Sequence, residues 1–314
     1  MRAQSVAELT QQITAGKTTD SSRVEAIYDW LTRNIRYDDD ARKRQRTGDT
    51  VLRQEPYNVV ALKRAVCMGY AKTLREMCRI SGIEAYVVEG FGKAIDGHLA
   101  REGHAWNAVK WGSNWHLVDA TWDAATPVSN KKYFLMAPSV FVENHWPQGP
   151  MWQLLNAPIS IDCFRNKADC TQMNSSIPSF NFSDTIRLWQ GLDSAQQVYS
   201  QSIRIINFNA NDLMALHNLA EYHHQKAQII FAEYTQIRKD VDNKKRLPNS
   251  KNTVLNLLET SINCLKSAQL MYQKLANRNK NQGLNDASLN VELIQETLNH
   301  LVVEKAFVEQ YFKD

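Results

Sequence analysis

Residues 103–122 read GHAWNAVKWGSNWHLVDATW, and the pattern of this stretch decides the fold. Two apolar, aromatic-rich runs flank Gly112-Ser113, which is the signal of a β-hairpin with a two-residue turn. The pattern predicts strands at His104–Lys110 and Trp115–Trp122, after a glycine- and charge-rich loop over residues 90–103. We therefore expect an antiparallel sheet in the first half of the chain.

The register of this hairpin predicts that two polar side chains share one face of the sheet. A two-residue turn places His104 opposite Thr121 and Trp106 opposite Asp119, so that His104 and Asp119 are diagonal neighbours. Because side chains alternate between faces, a slip of one residue would separate them. In this position Asp119 can accept a hydrogen bond from the His104 ring and stabilise its cation, as the third member of a triad does.

A cysteine earlier in the chain is the matching nucleophile. Residues 65–71 read AVCMGYA, and the apolar stripe after them predicts a helix that begins near Cys67 and ends at Ser81-Gly82. A helix N-terminus favours a thiolate over a thiol, and its unpaired N–H groups can bind an oxyanion. Gly69 leaves room there for backbone or substrate to approach. Taken alone, Cys67 would more simply be a small buried side chain.

The order Cys67, His104, Asp119 resembles the transglutaminase-like superfamily of papain-like cysteine peptidases and acyl transferases, and most of all its kyphoscoliosis peptidase-type branch with its bacterial relatives. The likeness rests on the motifs AVCMGYA, GHAWNAV and LVDATW and on the flanking residues 27–38 and 133–155. It covers about residues 20–165. The departure is Met68, where the resemblance implies an acidic or polar residue.

The resemblance implies a function as well as a fold. It implies a cysteine peptidase or amidase that acts on peptide or glutamine-type amides, with Cys67, His104 and Asp119 as catalytic residues, a thioacyl-enzyme and no cofactor or metal. Protein-glutamine acyl transfer is one alternative, and a catalytically silent transglutaminase-like binding module is another. Peptide N-glycanases resemble this chain too, but they bring paired CxxC zinc motifs that it lacks. The second oxyanion donor is left open between Gln54 and Tyr57.

The N-terminal residues predict helices that pack on the sheet. Ser22-Arg23-Val24-Glu25 is typical of a capping box that opens a helix, which should stop near Tyr37. Residues 38–57 are predicted to form a long loop, and a short helix over residues 58–64 should lead towards Cys67. Prolines among aromatic residues over 138–158 predict an irregular segment.

The last third of the chain differs from the rest in its composition and in its apolar pattern. Residues 184–314 contain few glycines or prolines, and apolar stripes predict helices at 184–206, 209–242, 252–279 and 286–312. Their unequal lengths favour a bundle over tetratricopeptide repeats. The predicted fold class is therefore α+β over 1–165, with N-terminal helices packed on an antiparallel sheet, then a linker over 166–183 and an all-α domain over 184–314. The helical domain is a candidate surface for a protein partner.

Composition sets further bounds. The chain has 314 residues, of which 43% are apolar and 22% charged, and its net charge of +4 is too weak to predict a nucleic-acid partner. No run reaches the roughly 18 apolar residues of a membrane span. The sequence starts without a signal-peptide core, which predicts a cytoplasmic protein, or a periplasmic or secreted one if an export signal was removed upstream. Cys163 and Cys170 could bridge in an oxidising compartment, although two separate thiols are favoured.

Overall fold

The computed structural model divides the chain into two compact units. It describes residues 5–46, 54–93, 97–125, 131–166, 179–242, 251–278 and 285–312. The units comprise Met1–Arg187 and Leu188–Asp314, and each has its own hydrophobic core. Within the described ranges, no helix combines the length and the apolar character needed to cross a bilayer.

The first unit contains helices and two sheets, as the predicted α+β class requires. Its helices are α1 Val6–Thr14, α2 Asp20–Asn34, α3 Asp39–Arg46, α4 Pro56–Leu62, α5 Cys67–Ile80, α6 Ala120–Ala124, α7 Pro138–Phe141 and α8 Ile161–Arg165. A 3₁₀ helix covers Pro150–Gln153. The strands are β1 Arg36–Tyr37, β2 Arg64–Ala65, β3 Ala85–Lys93, β4 Leu99–Trp111, β5 Asn114–Val118 and β6 His145–Pro147.

The larger sheet is antiparallel and has the strand order β5-β4-β3-β6. Helix α5 packs on it, and the buried Tyr70, Leu74 and Met77 of this helix share one core with Val109 and Val118 of the sheet. Burial of such side chains stabilises the fold by about 1.5–3 kcal/mol for each large apolar group. The core therefore fixes the long axis of α5, and with it the position of Cys67, against the sheet.

The predicted hairpin register is observed, but its second strand ends early. Asn107 pairs with Val118 and Trp111 pairs with Asn114, which is the register of a two-residue turn. The prediction that pairing continues to Thr121 is wrong. Asp119 leaves the strand because its side chain accepts hydrogen bonds from the first N–H groups of α6, and aspartate is a favoured helix N-cap.

Two predicted loops contain regular structure. In the predicted loop over 38–57, α3 begins after Asp38, whose side chain accepts a hydrogen bond from the Ala41 N–H. The acidic run Asp38-Asp39-Asp40 therefore lies at the start of a helix. Most of the predicted loop over 90–103 belongs to β3 and β4. Gly90 and Gly92 lie in β3. Glycine is required at these two positions because aromatic rings and backbone fill the space that a side chain would need.

The predicted start of α2 is also corrected. The helix begins at Asp20, and Thr19 is its N-cap, with reciprocal hydrogen bonds between Thr19 and Ser22. Ser22 is therefore the third helical residue and not the cap. A capping box that begins at Thr19 and one that begins at Ser22 are hard to distinguish in the sequence, because serine and threonine are both favoured N-cap residues.

The last part of the chain is helical, as predicted. Its helices are α9 Phe182–Gln190, α10 Ser194–Phe208, α11 Leu213–Asp242, α12 Lys251–Arg278 and α13 Asn285–Tyr311. The single helix predicted over 184–206 is two helices, because Gly191 ends α9 and Asp193 caps α10. Buried residues of α11, α12 and α13 form the second core. The predicted boundaries of the linker stay a prediction, since most of residues 166–183 lie outside the described ranges.

We expect Gly90→Ala to lower the free energy of unfolding by about 1–3 kcal/mol, the usual cost of overpacking. An added Cβ would lie 2.1 Å from the Trp146 carbonyl oxygen and would push β6 away from β3. Urea denaturation followed by tryptophan fluorescence measures this, since seven of the eight tryptophans lie in the first unit. Gly103→Ala is the matched control, because its nearest atom would be 3.6 Å away. Equal losses in both variants would refute the explanation.

Candidate active site

Cys67 is the first residue of α5, as the sequence predicts. The N-cap residue Val66 offers no side-chain hydrogen bond to the start of α5, where the first N–H groups lack the i−4 carbonyl partner that later residues of a helix have. Cys67 is a free thiol of intermediate exposure. The helix start therefore presents a partly accessible sulfur beside unpaired N–H donors.

The residue that fills the space left by Gly69 is Gln54. A Cβ at Gly69 would lie 2.2 Å from Gln54 Oε1, so only glycine admits this carboxamide against the first turn of α5. Gln54 Oε1 accepts a hydrogen bond from the Val66 N–H at 3.0 Å, which orients the amide. Tyr57, the other predicted candidate, is largely exposed on α4.

The structure brings His104 and Asp119 into contact. His104 Nε2 lies 2.6 Å from Asp119 Oδ2, and the two side chains are 11% and 0% exposed. They meet because Asp119 turns out of β5 as the N-cap of α6, and not as a diagonal strand pair. The predicted contact is therefore present, while the geometry predicted for it is wrong.

The His104 ring also hydrogen-bonds to the Cys67 side chain. Burial alone would lower the pKa of His104, but the charge of Asp119 and hydrogen bonds to Asp119 and Cys67 outweigh it and raise the pKa to about 10. The same pairing holds the pKa of Asp119 below its usual range, although burial opposes this. The site thus favours a charged imidazolium beside a carboxylate.

A tyrosine at the end of β1 completes the surroundings of the thiol. Tyr37 pairs with Ala65 in the small parallel sheet, two residues before Cys67. Burial, and next the charge of Cys67, raise the pKa of Tyr37 to about 12. Tyr37 therefore stays a neutral phenol next to the sulfur at physiological pH.

Residues 7–120 match the model of the transglutaminase-like superfamily. This chain contains a transglutaminase-like domain. The match ends one residue after Asp119, so it includes all three residues of the predicted triad.

Relatives of the transglutaminase-like domain include animal proteins. Kyphoscoliosis peptidase of Mus musculus is 33% identical in an alignment of 174 positions that covers 51% of this chain and 26% of the mouse protein. Hillarin of Drosophila melanogaster is 26% identical in an alignment of 191 positions that covers 51% of this chain and 22% of the fly protein. The chain thus spans about a quarter of the length of these relatives. A crystal structure of a TGase aligns with a TM-score of 0.30 at 22% identity, covering 37% of this chain and 30% of that one.

The backbone around Asp119 is held by a buried network of hydrogen bonds in the first unit. The Tyr28 hydroxyl of α2 lies 2.8 Å from the Asp119 carbonyl oxygen and 2.6 Å from Asp123 Oδ2. The Asp119 N–H donates to the Tyr133 carbonyl oxygen at 3.0 Å. Asp123 therefore supports this network and lies outside the contact between His104 and Asp119.

Sequence reasoning missed His145. This residue lies in β6, is fully buried, and its Nε2 is 3.0 Å from Asp119 Oδ2. It sits in the proline- and aromatic-rich segment where no periodic pattern marks a strand. The signal that could have found it is a histidine between Asn144 and Trp146 in a segment rich in aromatic residues, which is weak by itself.

The ligand atoms of His104, Asp119 and His145 lie within 4.8 Å of one another, close enough for a metal ion. A metal would need both histidine nitrogens without protons. Their distances to Asp119 Oδ2, 2.6 Å and 3.0 Å, are those of hydrogen bonds in which each ring donates to one carboxylate oxygen. The residues present therefore fit a hydrogen-bonded cluster better than a metal centre.

The cysteines outside the site divide into two kinds. Cys78 and Cys264 are free and buried. Cys163 is disulfide-bonded, so the prediction of a separate thiol is wrong for this residue. Cys170 lies outside the described residues.

We expect the His104–Asp119 pair to make folding pH-dependent. Below about pH 6.5 His104 is charged in both the folded and the unfolded chain, so its full stabilisation is present. Between about pH 6.5 and the folded pKa of about 10, only the folded protein keeps the proton, and stability falls by up to about 1.4 kcal/mol per pH unit.

Denaturation at each pH checks this in Cys67→Ser, with and without His104→Gln. The serine removes the titration of the thiol, and glutamine can still donate to Asp119. The difference in stability between the two proteins should shrink as the pH rises above about 6.5, and it should disappear below pH 10, because Cys67 is one cause of the raised pKa of His104. Parallel curves would contradict the assignment of the pair.

Proposed function

We propose that the chain is a cysteine peptidase or amidase in which Cys67 is the nucleophile, His104 the acid–base and Asp119 the orienting carboxylate. One observation carries the proposal. The His104 ring contacts Asp119 through Nε2 and also hydrogen-bonds to the Cys67 side chain, which leaves Nδ1 as the nitrogen for the thiol. This is the order of contacts that an activated thiol requires.

The reaction follows from these contacts. The Cys67 thiolate attacks the carbonyl carbon of a peptide or glutamine-type amide, and the imidazolium of His104 gives its proton to the departing amine. This breaks the C–N bond and leaves a thioacyl-enzyme. Water then attacks the thioester, His104 takes one proton from it, and the acid and free Cys67 result.

The acyl acceptor decides between two activities. If a primary amine replaces water in the second half, the same acyl-enzyme gives transamidation. Both activities use the same three residues, so the alternative changes the product and leaves their roles as they are. We prefer water as the acyl acceptor, because hydrolysis does not require an additional binding site for an amine.

The oxyanion formed during attack needs donors close to the sulfur. The N–H groups at the start of α5 supply one part, aided by the helix dipole. We assign the second donor to the Nε2 amino group of Gln54. Its Oε1 is occupied by the Val66 N–H, so the opposite end of the amide is the end that remains to donate.

A peptide library incubated with the protein, with and without a primary amine, tests the activity. Mass spectrometry should show cleavage or deamidation, and Cys67→Ala should reduce it by about 10³-fold or more, since the nucleophile is lost. Products that carry the added mass of the amine would show that the activity is acyl transfer and not hydrolysis. A rate unchanged in Cys67→Ala would refute the proposal.

The same protein should show selective alkylation. Iodoacetamide near neutral pH should modify Cys67 well before Cys78 and Cys264. Burial raises the pKa of the Cys78 thiol to about 12 and raises that of Cys264 as well, so both stay protonated and poorly accessible. Slow and equal labelling of all three, together with no turnover, would favour a silent binding module.

Gln54→Glu should lower kcat by about 10²–10³-fold with little change in KM, the usual effect of losing one oxyanion donor. Glutamate keeps the acceptor for the Val66 N–H, so the fold is preserved while the donor becomes an oxygen. Gly69→Ala should displace the same side chain and give a similar loss. The double variant should lose less than the sum of both, because the two changes remove one interaction. A kcat near the wild-type value in Gln54→Glu would exclude this donor.

A further inference from the structure

We propose that His145 is a positioning residue that donates a second imidazole N–H to Asp119 and thereby sets the proton affinity of His104. The inference rests on the proposed function, because it concerns the same acid–base pair. It adds a fourth residue, from a different strand, to the Cys67–His104–Asp119 arrangement.

The first support is the geometry of the carboxylate. Oδ2 of Asp119 faces two rings, with His104 Nε2 at 2.6 Å and His145 Nε2 at 3.0 Å. Its Oδ1 accepts from the N–H groups of Thr121 at 2.8 Å and Trp122 at 3.3 Å. Four donors therefore converge on one fully buried carboxylate, and His145 is the donor that the predicted triad does not include.

The second support is the protonation state of His145. Asp119 is ionised, so it can only accept, and both facing nitrogens must carry hydrogen. Burial lowers the pKa of His145 despite the opposing effect of Asp119, which keeps the ring neutral. A neutral ring with its proton on Nε2 has an acceptor at Nδ1. Asn144 Oδ1 lies 2.7 Å from Nδ1, and a half-turn of this amide, which exchanges its oxygen and its nitrogen, brings the amino group to Nδ1 as the donor that the neutral ring needs.

The third support is the way the ring is held. The centroid of the His145 ring lies 4.1 Å from that of Trp122 and 4.2 Å from that of Phe141, and Tyr133 packs at 5.2 Å. The backbone of His145 pairs with Gly92, which fixes the point from which the ring projects, and the packed aromatic side chains restrict its rotation. Such a rigid neutral donor is suited to fixing a carboxylate and unsuited to transferring protons to substrate.

The charged and titratable groups around the two histidines define the expected effect. Asp119, Lys132, Tyr133 and His104 face His145, and Asp119 and Cys67 face His104. By sharing Oδ2, His145 withdraws part of the carboxylate charge from His104. Without this donor, Asp119 would bind the His104 proton more strongly, and the imidazolium would persist to higher pH.

The test compares His145→Phe, which keeps an aromatic ring without the donor, with His145→Gln, whose amide can still donate to Asp119. The readout is the rate of Cys67 alkylation by iodoacetamide against pH, in the full chain. The part of the profile at high pH, its upper limb, reports loss of the His104 proton. In His145→Phe this limb should shift to higher pH by about one unit. His145→Gln should return it towards the wild-type position. An unshifted limb in a folded His145→Phe protein would overturn the proposal.

A second measurement needs neither a variant nor turnover. In ¹⁵N-histidine NMR spectra of the wild-type protein, His145 should show the neutral Nε2–H tautomer at pH 7, because burial lowers the pKa of its ring. A His145 imidazolium at pH 7, an Nδ1–H tautomer, or stoichiometric zinc found by metal analysis would refute the assignment. Because the spectra do not depend on catalysis, a protein that proves inactive with every substrate still tests His145.

Discussion

The structure of the first unit depends on one buried carboxylate. Asp119 is fully enclosed, and an isolated charge in such a place would be strongly destabilising. It is tolerated because His104, His145 and the start of α6 supply donors to both of its oxygens. Its backbone is held in turn by Tyr28 from α2. Helices and strands distant in sequence are thus required to meet at a single side chain.

The parts of the site that local signals determine could be predicted from the sequence. The two-residue turn at Gly112-Ser113 sets the register of its hairpin, and a run of apolar residues after Cys67 sets the start of α5. The contact between His104 and Asp119 was predicted through an extended strand. In the structure a competing local rule wins, since aspartate caps a helix more favourably than it continues a strand edge.

The parts that tertiary packing determines could not be predicted. Gln54 reaches the first turn of α5 only because Gly69 leaves space for it, which no spacing in the sequence reveals. His145 belongs to a three-residue strand without periodicity. Helix α3 is almost entirely charged, so it lacks the apolar stripe by which helices are recognised. Gln54 and His145 are therefore placed by contacts with other segments of the chain.

Among the elements that carry Cys67, His104, Asp119 and His145, the edge strand β6 comes last in the sequence. During synthesis N-terminal segments are available to fold before later ones. The thiol of Cys67 and the helix that carries it are therefore made first, His104 and Asp119 follow, and the strand with His145 comes last. A growing chain holds the sulfur before it holds the complete set of donors to Asp119. The complete set of four donors to Asp119 therefore exists only once β6 has paired with β3.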